Sequence, residues 1–96
     1  VSLQIPFAGD LPVMTILQTN YPNPFNPSTT IEFSIRQGDA GTLSIYNIAG
    51  QKILESEYPA GDHIFHWQAE DQASGVYLYQ LKTPNFHQSR KMILLR

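Results

Sequence analysis

Histidines are the side chains of this sequence best suited to metal binding or acid–base chemistry, and two of them lie close together. His63 and His66 fall within the segment GDHIFHWQ, whose alternation of residue types is typical of a β-strand. Successive side chains of a strand point to opposite faces, so residues three positions apart diverge and cannot share a metal ion. The sequence therefore predicts no metal site at these histidines.

Carboxylates and hydroxyl groups give equally little support for catalysis. Asp62, Glu70 and Asp71 lie in turn-like segments, and a site for a hard cation needs more converging oxygen ligands than these supply. Serine, histidine and aspartate all occur, but no Gly-x-Ser-x-Gly elbow and no phosphate-binding glycine loop brings them together. We therefore predict that the chain is not an enzyme and binds no metal or cofactor.

The charged residues are unevenly distributed along the chain, although the net charge is only −2. Residues 1–81 hold all eight carboxylates and two cations, whereas residues 82–96 hold four cations and no carboxylate. Nucleic-acid binding requires a broader cationic face than four charges interleaved with leucine and isoleucine. We expect a locally basic C-terminal segment and no nucleic-acid partner.

The elements that position these residues are β-strands, because apolar residues recur with a period of two almost throughout. In residues 30–36 the alternation places Ile31, Phe33 and Ile35 on one face, which predicts a strand with one side in the core. Trp67 is the predicted largest core side chain. Further strands are predicted at residues 42–48, 51–54, 63–67, 76–81 and 86–95, with a possible first strand at 14–18. About seven short strands in 96 residues predict one all-β domain, an Ig-like β-sandwich.

Glycine and proline mark the predicted turns between these strands. Gly38 to Gly41 is expected to close a hairpin between the strands at 30–36 and 42–48. Gly50 is expected to adopt a positive φ in a tight turn that pairs the third strand with the fourth. Tyr58 to Asp62 and Thr83 to Asn85 are predicted as further turns.

The segment YPNPFNP, which we call the proline segment, is stiff and lies just before the first long strand. Each proline lacks an N–H, fixes its own φ and pushes the preceding residue away from helical conformation, so the segment cannot be an interior strand. We expect its asparagines to bond nearby backbone groups and its two aromatic rings to press into the end of the sandwich. The predicted structural residues are Tyr21, Pro22, Asn23, Pro24, Phe25, Asn26 and Pro27, together with Gly50.

Five segments in order closely resemble the C-terminal sorting domain, type A, of the type IX secretion system of Bacteroidetes and related bacteria. They are LQTNYPNPFNPSTTIEFSI, LSIYNIAGQKI, GDHIFHWQ, SGVYLYQL and RKMILLR. The resemblance runs from about Met14 to Arg96, so we expect the sorting domain to span residues 14–96. Residues 1–13 lie outside it and are expected to be a linker or the tail of a preceding domain.

The resemblance implies a role as a label for export rather than as a catalyst. Such domains follow an N-terminal cargo domain and direct it through the periplasm and across the outer membrane to secretion or cell-surface attachment. The implied partners are the outer-membrane type IX machinery and a sortase-like surface protease, which cuts in the linker at or before the Met14 region here. In that family much of the signal lies in the final strand, and the matching residues are Ser89, Arg90, Lys91, Met92, Ile93, Leu94, Leu95 and Arg96. The resemblance also implies a structural role for Gly75, which matches the glycine at the start of a family strand.

The residues of the last strand independently suit a recognition role. A cationic strand at the edge of a sheet offers unpaired backbone N–H and C=O groups together with positive charge, a combination suited to pairing with a strand of a receptor. The same edge leaves self-association of edge strands open. The alternative is that Ile93 and Leu95 complete a core face and the basic residues only keep the edge soluble.

Two other interpretations of the sequence are a binding module and a structural cap. A carbohydrate-binding or adhesive accessory module would present an exposed row of rings, for which the candidates are Tyr46, Tyr58, Trp67, Tyr77 and Tyr79. Burial of Trp67 would remove the best platform for such a row. A structural cap similar to the Ig-like module of flagellar hook-capping proteins would share the IYNIAGQKI hairpin but not the terminal KMILLR.

Overall fold

The structure is a computed structural model that describes residues 11–96. Seven strands make up this part of the chain, which confirms the all-β prediction. None of its described residues belongs to a helix of the length and hydropathy needed to cross a membrane. The strands are β1 (Ile16–Leu17), β2 (Ser28–Ile35), β3 (Gly41–Asn47), β4 (Lys52–Tyr58), β5 (Gly61–Gln68), β6 (Gly75–Thr83) and β7 (Phe86–Leu94).

The strands form two antiparallel sheets that pack into a sandwich. One sheet has the order β1-β2-β5 and the other the order β4-β3-β6-β7. A single cluster of buried apolar side chains from both sheets fills the space between them. Its largest fully buried members are Tyr79, Phe25, Phe33, Leu17, Ile31, Ile35, Leu43, Ile45, Leu81, Met92 and Leu94.

The alternation of residue types identified the core faces correctly. Ile31, Phe33 and Ile35 are all buried, whereas the residues between them on β2 are only partly buried. Trp67 is also buried, with 5% of its surface exposed. The burial of the apolar face against the opposite sheet is what stabilises these strands, since a two-stranded ribbon alone is marginal in water.

The hairpin expected at Gly38 to Gly41 was wrong. β2 pairs with β5 in one sheet, while β3 pairs with β4 and β6 in the other, so residues 36–40 cross between the sheets. Turn-forming residues specify a change of chain direction but not the strand that receives the chain. The crossing is tight, because a Cβ on Gly41 would lie 2.9 Å from Cγ2 of Thr83 on β6.

The other turns follow the prediction more closely. Gly50 has a φ of 85°, and its N–H donates to the carbonyl of Asn47 at 3.0 Å within the β3–β4 hairpin. Gly75, where β6 begins, has a φ of 153°. The first strand is shorter than the predicted 14–18, because only Ile16 and Leu17 pair with β2.

Candidate functional site

The last strand divides the sequence-predicted signal residues between two faces. Met92 and Leu94 are fully buried between the sheets. Lys91 and Ile93 are exposed on the outer face of the four-stranded sheet, and Leu95 just beyond the strand is 54% exposed. The alternative in which Ile93 and Leu95 complete the core is therefore wrong, since Met92 and Leu94 occupy those positions.

Two of the cations near the C-terminus are used in contacts within the domain. Nε of Arg90 donates a hydrogen bond of 2.8 Å to the carbonyl of Leu17. Nη1 of Arg96 donates to the carbonyls of Ala69 at 3.3 Å and Gln72 at 2.5 Å, and also to that of Glu70. Arg90 therefore ties β7 to β1, and Arg96 ties the end of the chain to the loop before β6.

The proline segment covers the C-terminal end of the β7 edge. The N–H of Phe25 donates to the carbonyl of Ile93 at 2.9 Å, and the N–H of Leu95 donates to the carbonyl of Phe25 at 3.0 Å. Oδ1 of Asn23 accepts from the N–H of Ile93 at 3.0 Å, as expected for an asparagine of this segment. Together these bonds form a short parallel pairing at the edge of the sheet.

The same segment bridges the two sheets, because it leaves the three-stranded sheet after β1, pairs with the edge of the other sheet and returns to β2. Tyr21 bridges to Thr30 of β2, whereas Phe25 bridges to Leu94 of β7. The ring of Phe25 is buried with its centroid 5.8 Å from that of Trp67, as expected. The same expectation was wrong for Tyr21, which is 51% exposed and donates its hydroxyl hydrogen bond to the carboxylate of Glu32.

The rest of the β7 edge remains open within the described part of the chain. The N–H and C=O of Ile93 point away from β6 toward the proline segment. Alternate residues of a strand direct their backbone groups to the same side, so those of Lys91, Ser89 and His87 point the same way. β7 is the outermost strand of its sheet, and we call these three residues the open edge.

Exposed apolar side chains lie next to the open edge on the outer face of the β6–β7 hairpin. Leu78 is 36% exposed and lies opposite Lys91, and Val76 lies opposite Ile93, which is 38% exposed. We call Val76, Leu78, Lys91 and Ile93 the outer hairpin face. Exposed apolar groups beside an unpaired strand edge and a cation are features of a protein-binding surface.

Tyr79 was considered from the sequence only as a ring for sugar binding. In the structure it is buried and links β6 to the residues between β1 and the proline segment. The hydroxyl of Tyr79 donates to the carbonyl of Gln18 at 2.7 Å and accepts from the N–H of Asn20 at 2.9 Å. Burial raises the pKa of Tyr79 above its ordinary value of 10.0. The signal that could have identified it is its inward position on β6, because a buried tyrosine hydroxyl needs a partner.

The other chemical candidates do not converge on a site. Among residues 11–96 no three histidines, aspartates or glutamates are grouped as metal ligands. His63 packs against the ring of Phe33, while His66 on the opposite face lies 3.0 Å from the hydroxyl of Thr30. The candidate rings do not form an exposed row either, because Trp67, Tyr77 and Tyr79 are buried.

The sequence matches a known protein family. The profile of a family described as "Secretion system C-terminal sorting domain" matches residues 19–95, a range that includes the proline segment and the strands β2 to β7. No curated protein matches the sequence. The chain therefore belongs to the family of secretion system C-terminal sorting domains, which are non-catalytic signals for export by the type IX system to the secreted or cell-surface compartment.

Proposed function

We propose that the type IX machinery recognises this domain in its folded state, by binding to the open edge and the outer hairpin face. The observation that carries the proposal is the complete burial of Met92 and Leu94 between residues that are exposed. A receptor that bound residues 89–96 as one continuous peptide would have to remove both side chains from the core. Exposing them would lose about 1.5–3 kcal/mol of burial free energy for each side chain.

Pairing with a strand of the receptor is the proposed mode of recognition. His87, Ser89 and Lys91 offer backbone groups to an added strand, and the ammonium of Lys91 favours an acidic partner. The added strand would end before Ile93, whose backbone groups already bond to Phe25 and Asn23. The signal residues that contact the receptor are then Ser89, Lys91, Ile93 and Leu95, while Arg90, Met92, Leu94 and Arg96 hold the strand in place.

The proposal extends to the complete export route. The domain spans residues 14–96, acts without enzymatic activity and follows an N-terminal cargo domain that it carries through the periplasm. A sortase-like surface protease cuts at or before the Met14 region, and the cargo stays at the cell surface. Val13 and Met14 are 86% and 60% exposed, which suits access by a protease. The rest of the proposed linker, residues 1–10, lies outside the described residues.

Ser89→Pro is the experiment that tests recognition through the edge. Proline removes the outward N–H of Ser89 without removing a bond of the β6–β7 ladder, a position at which edge strands tolerate proline. We expect the purified variant to keep the unfolding temperature of the parent chain within a few degrees, which corresponds to a change in stability of less than about 1 kcal/mol. A reporter fused to it in a type IX-competent host should lose most of its surface delivery.

Gln88→Pro is the matched control, because Gln88 directs its backbone groups toward β6 and the change should unfold the hairpin. A folded Ser89→Pro variant that is delivered as well as the parent chain would contradict pairing at this edge.

Lys91→Glu tests the charge separately, and we expect it to reduce delivery while leaving the fold intact, because Lys91 is exposed.

A further inference from the structure

A polar trough runs along β3 on the outer face of the four-stranded sheet, and neither the proposed recognition surface nor the core accounts for it. Its volume is about 450 Å³, within the range of roughly 300–1,000 Å³ typical of small-molecule sites. Thr42 and Ser44 form its floor, and longer side chains of β4 and β6 rise on either side.

The trough follows from the sizes of neighbouring side chains. Ser44 lies opposite Glu55 of β4 and Gln80 of β6 in the register of the sheet. It is only 5% exposed, although Leu43 and Ile45 on either side of it take the core-facing positions. A small residue on an outer face reaches such low exposure only when its taller neighbours enclose it. The floor is therefore recessed rather than flat.

The walls carry hydrogen-bonding groups and three charged side chains, those of Lys52, Glu55 and Lys82. Nζ of Lys52 lies 2.8 Å from Oε1 of Glu55, so this cation is paired. Lys82 belongs to neither of the ion pairs found in residues 11–96, Lys52–Glu55 and Arg36–Asp39. At one end the hydroxyl of Tyr46 donates to Oε1 of Gln80 at 3.4 Å, a long bond that a ligand hydroxyl could replace.

The dimensions and chemistry fit a short sugar chain. Thr42 and Tyr46 are four residues apart on one strand, which corresponds to about 13 Å at about 3.3 Å per residue. Sugars present several hydroxyl groups that both donate and accept, and their C–H faces pack on aromatic rings. An added carboxylate would pair with the free ammonium of Lys82.

We propose that this trough binds an acidic saccharide of about two sugar units. The hydroxyls of Thr42 and Ser44 and the amide oxygen of Gln80, whose Nε2 contacts His87, bond its hydroxyls. Lys82 bonds its carboxylate, and Tyr46 closes one end. The site differs from the aromatic row considered from the sequence, because only one ring takes part. The trough adjoins the open edge, since Gln80 and Lys82 lie opposite Ser89 and His87 in the register, but it lies on the face of the sheet and does not use the outward backbone groups of β7. Binding there goes beyond the sorting role.

The test is a titration of the ¹⁵N-labelled chain, followed by amide chemical shifts. The probes are digalacturonate, the neutral disaccharide lactose and a diglutamate peptide of equal charge. We expect digalacturonate to move amide signals of β3, β4 and β6 around the trough, with little response to the other two probes. Lys82→Gln should weaken binding about five- to tenfold, as expected for loss of a charge-assisted hydrogen bond.

Lys91→Gln is the matched control, since Lys91 lies on the same sheet but outside the trough, and its binding should equal that of the parent chain. Ser44→Val fills the floor without changing the charge and should abolish binding while the spectrum stays that of a folded protein. The absence of any response to digalacturonate would overturn the proposal. An equal response to diglutamate, or equal losses in Lys82→Gln and Lys91→Gln, would also overturn it, because either would show non-specific attraction of anions.

Discussion

Tyr79 shows how one side chain joins the core to the segment that leads into it. Its ring is fully buried, and its hydroxyl bonds to Gln18 and Asn20 next to the proline segment. Alternation in the sequence predicts that such a residue faces inward, but it does not identify backbone partners some sixty positions away. Partners of this kind depend on how the two sheets pack, and this packing cannot be inferred from the properties of single residues.

We expect Tyr79→Phe to lower the free energy of unfolding by about 1–3 kcal/mol, because the buried N–H of Asn20 and the carbonyl of Gln18 lose their partner. Burial raises the pKa of the folded-state phenol, so its contribution is complete below pH 10, the ordinary value, and is lost as the pH rises through the folded-state pKa. Urea unfolding of both chains at about pH 7 and about pH 11 measures this change. The difference in stability between them should be smaller at the higher pH.

Tyr79→Leu serves as the control for ring loss, since it also removes the aromatic packing and should be more destabilising than Tyr79→Phe. A difference between the parent chain and Tyr79→Phe that does not change between the two pH values would contradict the role assigned to the hydroxyl.

At the scale of elements, the strands were more predictable than their partners. The alternation of residue types in β2 and in β5 indicates which face of each strand is apolar, and the core-facing side of each was predicted correctly. The run Met92 to Leu95 does not alternate, so its register was ambiguous from sequence, and a shift of one residue exchanges the two faces. The pairing of Phe25 with β7 was also not predictable, because prolines exclude an interior strand without stating which edge the segment joins.

Asn23→Ala tests whether the proline segment holds the end of β7. Loss of the bond from Ile93 to Asn23 should lower the free energy of unfolding by about 0.5–1.5 kcal/mol. It should also speed exchange of the Ile93 amide with solvent, measured by hydrogen–deuterium exchange. Asn26→Ala is the matched control, since Asn26 is exposed in the same segment and its change should stay within about 0.5 kcal/mol. Equal effects of the two changes would show that the bond to Ile93 is not what holds the strand.

The whole molecule is the scale at which sequence and structure agree most closely. About seven strands, a sandwich and a buried Trp67 were all expected, because a chain of this length and pattern has few other ways to bury its apolar faces. The exposure of the individual signal residues that we predicted in the last strand could not be inferred in the same way. It depends on which residues are buried in the core. Met92 and Leu94 are buried there, whereas Ile93 and Leu95 are exposed.

A disulfide between the last two strands tests whether the intact domain is what the export machinery reads. Val76 and Ile93 are direct partners in the register, and the sequence contains no other cysteine. We expect the Val76→Cys, Ile93→Cys variant to be delivered equally well oxidised and reduced, because reading the folded surface needs no separation of β7 from β6.

Delivery of the reduced but not the oxidised form would show that the strand has to be extracted, and would contradict the proposal. Ile93→Cys alone is the control for loss of the isoleucine side chain, and its delivery sets the level against which the double variant is compared.

The parallel pairing of the proline segment with β7 has a mechanical consequence. Tension applied between residue 11 and residue 96 would pull these two neighbouring segments in opposite directions along their length. The bonds of Phe25 and Asn23 to Ile93 and Leu95 lie across that direction, so they would carry the load together instead of opening one after another. We therefore expect the domain to resist a force applied to its two ends more strongly than a force that separates β6 from β7 starting at their turn.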